Sequence, residues 1–300
     1  MSMKNIYEQV DENKFRSGVV ITCFITFIAA SAYAITYTMG FDYSFIGIAL
    51  IISGIFSFAS FYYSDSIILS ISKAIPATKK DHFDFYTVTE NLVRVARVPM
   101  PKLYVINDTA MNAFATGRDP QHAVVCATSG LLSRLNRTEI EGVIAHELSH
   151  VKNYDTRLMG IVTILVGLVT LLADILLRTR LRGRDRDNEG NLGAILFVVG
   201  IVLALLSPII AQLIQLAISR RREFLADASG AALTKYPDGL ASALEKISAD
   251  KEPLEAANKA TSHLYISNPL KNHHDSVGWF AGLFNTHPPV QERLKALRGQ

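Results

Sequence analysis

The sequence predicts a mainly helical protein with a small β-sheet, an α+β fold that also carries four apolar helices long enough to cross a membrane. Hydrophobic residues make up 49% of the 300 residues and charged residues only 19%, so apolar side chains must be concentrated in particular segments. These apolar side chains are concentrated in four nearly uncharged segments. The rest of the chain shows helical periodicity and two short runs of β-branched residues.

The four apolar segments each reach about 20 residues, the length of helix that crosses a hydrocarbon core roughly 30 Å thick. Residues 18–39, 43–63 and 192–218 contain no charged side chain, and residues 158–177 contain only Asp174. One such segment could be the buried helix of a large soluble core. Four of them leave too little polar chain to cover them, so we expect a membrane protein.

The apolar segments divide the chain into four parts. We expect an N-terminal transmembrane hairpin, the first part of a folded domain, a second apolar hairpin, and the second part of the folded domain, at residues 1–64, 65–157, 158–218 and 219–300 respectively.

The positive charges indicate which side of the membrane the first hairpin opens to. They flank both open ends of the hairpin and are absent from its turn, the flanking residues being Lys4, Lys14, Arg16, Lys73, Lys79 and Lys80. By the positive-inside rule, both ends are cytoplasmic. The loop at residues 178–191 carries five arginines against three acidic residues, which conflicts with a position outside. The second hairpin therefore either crosses the bilayer or dips into it, and we expect it to cross.

Net charge and cysteine content limit the classes of partner and compartment that fit this chain. A dispersed net charge of +3 does not suggest a nucleic-acid partner. Cys23 and Cys126 are too few for a disulfide framework, which fits a folded domain facing a reducing compartment.

The first part of the folded domain contains the β-structure. Residues 83–97 have helical periodicity and stop before Pro99. Residues 103–106 and 122–128 are rich in β-branched residues and are predicted to be strands.

A further helix is predicted to begin with a capping box formed by Thr138 and Glu141, and its apolar spacing continues to Val151. Beyond the apolar segments, one helix is expected to close near Tyr236, and two more are expected at residues 238–248 and 288–298.

His146 and His150 are four residues apart on the helix expected after Thr138, so their imidazoles lie on one helical face. Two imidazoles in this arrangement can bind one zinc ion at about 2.0–2.1 Å. Glu147 can then act as general base towards a water on that metal. The alternative is a pair of histidines that face solvent. The helical context favours a metal site.

A catalytic zinc needs a third protein ligand and one open position. Glu223 and Asp227, again four residues apart, offer a carboxylate ligand and an acceptor that can orient a ligating histidine. Alone, this pair would be read as a solvated helix face, and the three arginines before it as an interfacial anchor. If both helices bind one metal, the chain between them crosses the membrane twice or not at all.

Three motifs together resemble the HtpX family of membrane metalloproteases, relatives of the CAAX prenyl proteases in the gluzincin class. They are His146-Glu147-Leu148-Ser149-His150, Glu223-Phe224-Leu225-Ala226-Asp227 and Asn112-Ala113-Phe114-Ala115-Thr116-Gly117. The resemblance covers essentially the whole chain, including Thr286-His287-Pro288-Pro289 near the end. It implies a multi-pass protein of a bacterial inner membrane. Such a protein cleaves misfolded or surplus membrane proteins at a cytoplasmic, zinc-dependent site with one zinc per chain.

The resemblance also implies roles for individual residues. His146, His150 and Glu223 would be the zinc ligands, Glu147 the general base and Asp227 the residue that supports a ligand. Asn112 would line the substrate cleft, unless it is a turn residue. An edge strand containing Val124, Val125 and Cys126 would pair with an extended peptide. His287 would stabilise the oxyanion or, alternatively, cap the last helix.

Other functions are open to a chain with these features. An intramembrane protease carries its two histidines within a span, whereas charged residues surround the motif here, so we reject that class. An inactive zinc-binding scaffold for unfolded clients usually loses a ligand or the base, whereas His146, Glu147, His150 and Glu223 are all present here. A zinc-dependent regulator without hydrolysis is separated from a protease only by experiment.

Overall fold

The computed structural model describes residues 6–39, 42–165, 220–257, 261, 264–267, 269 and 288–299. The predicted second hairpin lies outside these residues except for 158–165, and so does its charged loop. His287 lies outside them as well.

Two long helices, α1 (Ile6–Met39) and α2 (Ser44–Ile71), pack along each other as the predicted first hairpin. Among the described residues, they are the helices long and apolar enough to cross a membrane, with candidate spans at Val10–Ala30 and Ile46–Ile71. Only 22% and 17% of these spans are buried, whereas a core helix of a soluble protein is mostly buried. Two of the four predicted membrane helices are therefore present as apolar helices of spanning length.

Both helices extend beyond the uncharged segments that predicted them. At 1.5 Å per residue, the 34 residues of α1 are about 51 Å long, roughly 20 Å more than the hydrocarbon core. Helix α2 continues to Ile71, past the boundary expected at residue 64. The hairpin thus carries part of its length out of the apolar region and into the folded domain.

Four strands form a small mixed sheet in the order β1-β2-β4-β3. They are β1 (Ile75–Pro76), β2 (Lys102–Ile106), β3 (Ala113–Thr116) and β4 (Val124–Thr128). Strands β2 and β4 are parallel, and the two outer pairs are antiparallel. The strands predicted near residues 103 and 122 are confirmed as β2 and β4, although residues 120–122 form a 3-10 turn ahead of β4. Strand β3, only four residues long and half alanine, was not predicted.

The position of β4 corrects one prediction. Residues 124–128 pair with β2 on one side and with β3 on the other. Val124, Val125 and Cys126 are therefore not on an edge strand, and no free backbone remains there for an extended peptide. Within the described part of the chain, the edge strand at this end of the sheet is β3.

Every residue of β3 and β4 is buried, and since successive side chains of a strand point to opposite faces, the sheet is covered on both faces here. Leu103, Ala113 and Val125 face a core shared with helices of the folded domain. Phe114 and Cys126 face a second core, which includes residues of α1 and α2. The sheet thus links the core of the folded domain to the apolar hairpin of α1 and α2.

Helices α3 (Phe83–Ala96), α4 (Ser129–Arg134) and α5 (Arg137–Lys152) complete the first part of the domain. Helix α5 starts with a capping box, but its residues are Asn136 and Glu139. The predicted pair, Thr138 and Glu141, is wrong by two positions, because Asn136 is an equally good cap and Thr138 donates its hydroxyl to it. Residues 155–165, here called α6, form the next helix after a short turn.

The second part of the domain packs onto α5. It contains α7 (Arg220–Thr234), α8 (Pro237–Ala249) and α9 (Val290–Arg298). Leu240 and Ile247 of α8 and Leu294 of α9 lie in the same core as Val143 and Leu148 of α5. The two parts of the domain, separated by more than 60 residues of sequence, therefore form one hydrophobic core.

Candidate metal centre

His146 and His150 of α5 and Glu223 of α7 converge on one point. Their ligand atoms lie within 4.8 Å of one another, and all three side chains are buried. The two Nε2 atoms are 3.2 Å apart, and each is 3.6–3.7 Å from an oxygen of the Glu223 carboxylate. Ligands at 2.0–2.1 Å around a tetrahedral ion would be about 3.3 Å apart, so this spacing fits a zinc-sized cation.

Each histidine is held by a carboxylate on its other ring nitrogen. Nδ1 of His146 lies 2.9 Å from Asp227, and Nδ1 of His150 lies 2.9 Å from Asp155. A proton on each Nδ1 leaves a lone pair on each Nε2, directed at the point where the three side chains meet. Two lone pairs at 3.2 Å need either a shared proton or a cation.

Charge supports the same conclusion. In this cluster, the buried Glu147, Asp155, Glu223 and Asp227 carry four negative charges. The buried Arg293 and the partly buried Arg222 carry two positive charges. The formal charge with neutral histidines is −2, which a divalent cation balances. Burial acts to lower the pKa of His150, but Asp155, Glu223 and Glu147 outweigh it and raise that pKa to about 9. The site therefore favours a positive charge at this position.

Arg293 of α9 holds Asp227 in place. Its guanidinium donates two hydrogen bonds to the Asp227 carboxylate, at 2.8 and 2.6 Å, and it lies 4.0 Å from Glu223. Burial alone would raise the pKa of Asp227, but the bonds from Arg293 and His146 lower it below its usual value. Asp227 thus stays ionised and keeps the His146 proton on Nδ1. Sequence reasoning placed Asp227 here, but it gave Arg293 no role.

Asp155 was also missed as a support of the site. It follows α5 across a turn in which Tyr154 has a positive φ of 60°, and this turn brings the carboxylate back onto His150. Asp155 also meets Arg222 at 3.6 Å and the side-chain amide of Asn13 on α1 at 2.7 Å. A carboxylate just beyond a two-histidine helix is a usable sequence signal, whereas the contact with Asn13 spans 142 residues and has no local signal.

Close packing of α7 against α5 fixes Glu223 relative to the histidines. A Cβ atom at Gly230 would lie 3.0 Å from the backbone nitrogen of His146 and 3.3 Å from its Cα. Only glycine allows α7 to approach α5 this closely without displacement. The absence of a side chain at residue 230 thus contributes directly to the geometry of the cluster.

Glu147 is also buried in this group. Its charge helps to raise the pKa of both His150 and Arg293, so it lies within electrostatic reach of each. A carboxylate next to a metal-binding point can accept a proton from a water there.

Asn112 precedes the edge strand β3. Its amide donates to the carbonyl of Ser267, and its side-chain oxygen accepts from the backbone of Ala113. Next to it, Ile266 donates its backbone N–H to the carbonyl of Ala113, so a short segment covers the first residue of β3. Asn112 thus joins the edge strand to residues 264–267.

Comparison with known proteins identifies the family. The model of peptidase family M48 matches residues 81–300. The chain belongs to peptidase family M48. Peptidases of this family are metal-dependent, so this M48 protein is a metallopeptidase that hydrolyses peptide bonds, and the resemblance drawn from the sequence is confirmed.

Similar M48 proteins include a "Protease HtpX homolog" from Caldanaerobacter subterraneus subsp. tengcongensis, 40% identical over 99% of both chains. A second, from Dictyoglomus thermophilum, is 42% identical over 97% of this chain and 94% of its own. A third, from Streptococcus uberis, is 40% identical over 98% and 99%. Among solved structures, the crystal structure of S. mikatae Ste24p matches 97% of this chain and 66% of its own, at 17% identity and a TM-score of 0.47.

Proposed function

We propose that this M48 protein is a zinc-dependent endopeptidase of the cell membrane that cleaves misfolded or surplus membrane proteins on the cytoplasmic side. The convergence of two carboxylate-supported histidines with Glu223 carries this proposal. His146, His150 and Glu223 hold one zinc ion, and Asp227 and Asp155 orient the two imidazoles. Zinc is favoured among divalent metals because imidazole and carboxylate donors in a three-ligand set suit it.

When bound, zinc supplies Lewis-acid activation of a water and of the scissile carbonyl. Glu147 accepts the proton of the attacking water and then delivers it to the leaving amine nitrogen. Arg293 keeps Asp227 ionised through both steps, so that the His146 ring stays in the ligating tautomer.

The substrate backbone pairs with the edge strand β3. The backbone N–H of Thr128 donates to the carbonyl of Asn112, so by the alternation of an antiparallel ladder the peptide groups of Ala113 and Ala115 point away from β4. Ala113 already bonds to Ile266, and no backbone partner of Ala115 is found within the described part of the chain. A peptide added at Ala115 is bound through its main chain, which suits clients of varied sequence. Asn112, which directly precedes β3, then lies at the border of the substrate cleft.

His287 is proposed as the oxyanion stabiliser because it lies three residues before α9, the helix that carries Arg293 into the centre. Replacement by Ala is expected to lower kcat by about 10²–10³-fold with little change in KM. A residue that only caps the helix would instead lower the unfolding temperature and leave kcat of the folded protein near that of wild type.

The membrane arrangement is multi-pass, with the first hairpin at residues 1–64, a second at 158–218, and one catalytic domain built from 65–157 and 219–300. The shared core of α5, α8 and α9 supports this division. The positive residues at both open ends of the first hairpin support a cytoplasmic site. Reporter fusions in the turn at residues 40–42 and after residue 300 test the orientation, and a cytoplasmic signal from the turn would contradict it.

The direct test uses detergent-purified full-length protein, stripped of metal by a chelator and restored with zinc, with an unfolded model protein as substrate. We expect cleavage that returns with zinc. Glu147→Gln should keep zinc and lose about 10²–10⁴-fold in rate, because the proton acceptor is gone.

Glu223→Ala is the matched variant for the metal itself and should lose zinc as well as cleavage. Full zinc content in Glu223→Ala would exclude the proposed ligand set. A folded, zinc-loaded wild type that cleaves no client would instead point to the scaffold for unfolded proteins.

A further inference from the structure

The N-terminal helix places one buried polar side chain against the metal centre. Asn13 lies at the start of the third turn of α1 and is 3% exposed, although it precedes the uncharged segment at residues 18–39. Asparagine is rarely buried without hydrogen-bonded partners, because an unsatisfied amide costs free energy. Its partners here all lie more than 130 positions away in the sequence.

The amide of Asn13 makes three hydrogen bonds to the supports of the site. Its nitrogen donates to the carbonyl of Asn153 at 2.8 Å and to the carboxylate of Asp155 at 2.7 Å. Its oxygen accepts from Arg222 at 2.9 Å. One side chain therefore bridges the end of α5, the start of α6 and the start of α7, where Glu223 follows Arg222 directly.

We propose that Asn13 is a positioning residue of the metal centre, acting through Asp155 on His150. Asn13 binds both ends of the turn that contains the left-handed Tyr154, and so fixes the direction in which Asp155 points. Asp155 in turn fixes the His150 ring through its Nδ1 atom. This role rests on the proposed zinc site but adds to it a residue from the membrane hairpin.

Other contacts of α1 support a specific junction at this point. The Lys14 ammonium lies 4.8 Å from the centre of the Tyr154 ring, on the same turn that Asn13 binds. One turn further along, Ser17 is equally buried, but the partner of its hydroxyl among the described residues is the carbonyl of Asn13 within α1. Asn13 and Ser17 thus form a matched pair, of which only Asn13 reaches the centre.

The test measures zinc affinity of the full-length protein by competition with a colorimetric chelator. Asn13→Ala should weaken zinc binding about 10-fold or more, in the range seen when residues that orient metal ligands are lost. Asn13→Asp keeps the size and the contact with Arg222, but sets a carboxylate against Asp155, so it should bind zinc more weakly than Asn13→Ala. Ser17→Ala should bind as wild type does. A role in packing alone would leave the isosteric Asp variant close to wild type.

A double-mutant cycle tests the route through Asp155. Asn13→Ala added to Asp155→Asn should weaken zinc no further than Asp155→Asn alone, because the orienting carboxylate is already lost. The proposal would be overturned if the losses of zinc affinity in the double mutant were additive, or if Asn13→Asp bound zinc as wild type does. It would also be overturned if both Asn13 variants failed to fold while Ser17→Ala folded. Zinc retained by His146→Ala or Glu223→Ala would show instead that the metal site itself is wrong.

Discussion

At the scale of single residues, the centre is organised by carboxylates that hold histidine protons. Asp227 and Asp155 each bind an Nδ1, and the two free Nε2 atoms face each other at 3.2 Å. Since the surrounding carboxylates raise the pKa of His150 to about 9, we expect the metal-free protein to hold a proton between these nitrogens near neutral pH. A proton and a metal ion therefore compete for one position.

Zinc binding is accordingly expected to release about one proton from the centre below pH 9, because the metal replaces the proton on His150. Calorimetry of zinc binding in buffers with different ionisation enthalpies measures this number. Asp155→Asn, which removes the carboxylate that raises the pKa of His150, should release fewer protons at pH 8. Equal release in both proteins would contradict the assignment.

The stability of the metal-free protein should depend on pH through the protonation of His150. A raised pKa in the folded state stabilises the protein fully below the unfolded value of about 6.5, and this contribution is lost as the pH rises through about 9. The unfolding temperature of metal-free protein should thus fall between pH 6.5 and pH 9. The zinc-loaded protein, whose His150 carries no such proton, should lack this fall. A decline of equal size in both forms would assign it to other groups.

Arg293 provides a second test at this scale. Arg293→Met leaves the buried Asp227 carboxylate without its cation and should lower the free energy of unfolding by about 3–5 kcal/mol. Arg298→Met, on the same helix but in an exposed pair with Glu245, is the control and should leave the unfolding temperature near wild type. Similar shifts for the two variants would show that Asp227 does not depend on Arg293.

The sequence pattern identified those site residues that lie one helical turn from another site residue. The pairs at 146 and 150, and at 223 and 227, follow from helical spacing, and the structure brings all four of these side chains together. Asn13 and Arg293 could not be predicted in the same way, because their contacts depend on how α1 and α9 pack.

At the scale of elements, the close approach of α7 and α5 decides where Glu223 lies. Gly230→Ala should shift α7 by a few tenths of an ångström and weaken zinc binding, because the new methyl group meets the His146 backbone at 3.0 Å. Zinc competition measures the effect. Gly54→Ala on α2, where nothing lies within 4 Å, is the matched control and should leave zinc affinity unchanged. Unchanged affinity in Gly230→Ala would show that α7 can be displaced without moving the ligand.

The sheet shows where pattern fails at this scale. The apolar run at residues 124–128 identifies a strand. However, a run that is apolar on both faces does not show whether the strand has a hydrogen-bonded neighbour on one side or on both. The true edge, β3, is short and contains two alanines, which have low strand propensity. Strand order had to come from the packing of the whole domain.

At the scale of the whole molecule, one core joins the two parts of the domain across the apolar segments. The group of His146, His150 and Glu223 lies at the junction of these parts, since its side chains come from α5 and α7. Composition and charge-free length predicted the hairpin of α1 and α2. They could not predict that α1 reaches the centre, because its N-terminal turns contain no pattern that points to a partner.

Metal removal should therefore destabilise the whole domain. A free zinc concentration of 1,000 times the dissociation constant stabilises the folded state by about 4 kcal/mol. Chelation should therefore lower the unfolding temperature, and added zinc should restore it. Glu223→Ala should unfold at the same temperature with and without zinc. A zinc-dependent shift that persists in this variant would locate the stabilising metal elsewhere.

The burial of the metal group also bears on which proteins can be cut. His146, Glu147 and Glu223 are at most 3% exposed, so a compact client cannot bring a peptide bond to them. An extended segment must first separate from its own fold, and the cutting rate then follows the fraction of time that the segment is open. Each additional ~1.4 kcal/mol of opening free energy slows cleavage tenfold. We therefore expect the proposed peptidase to sort its clients by their local stability and to spare a folded neighbour that contains the same sequence.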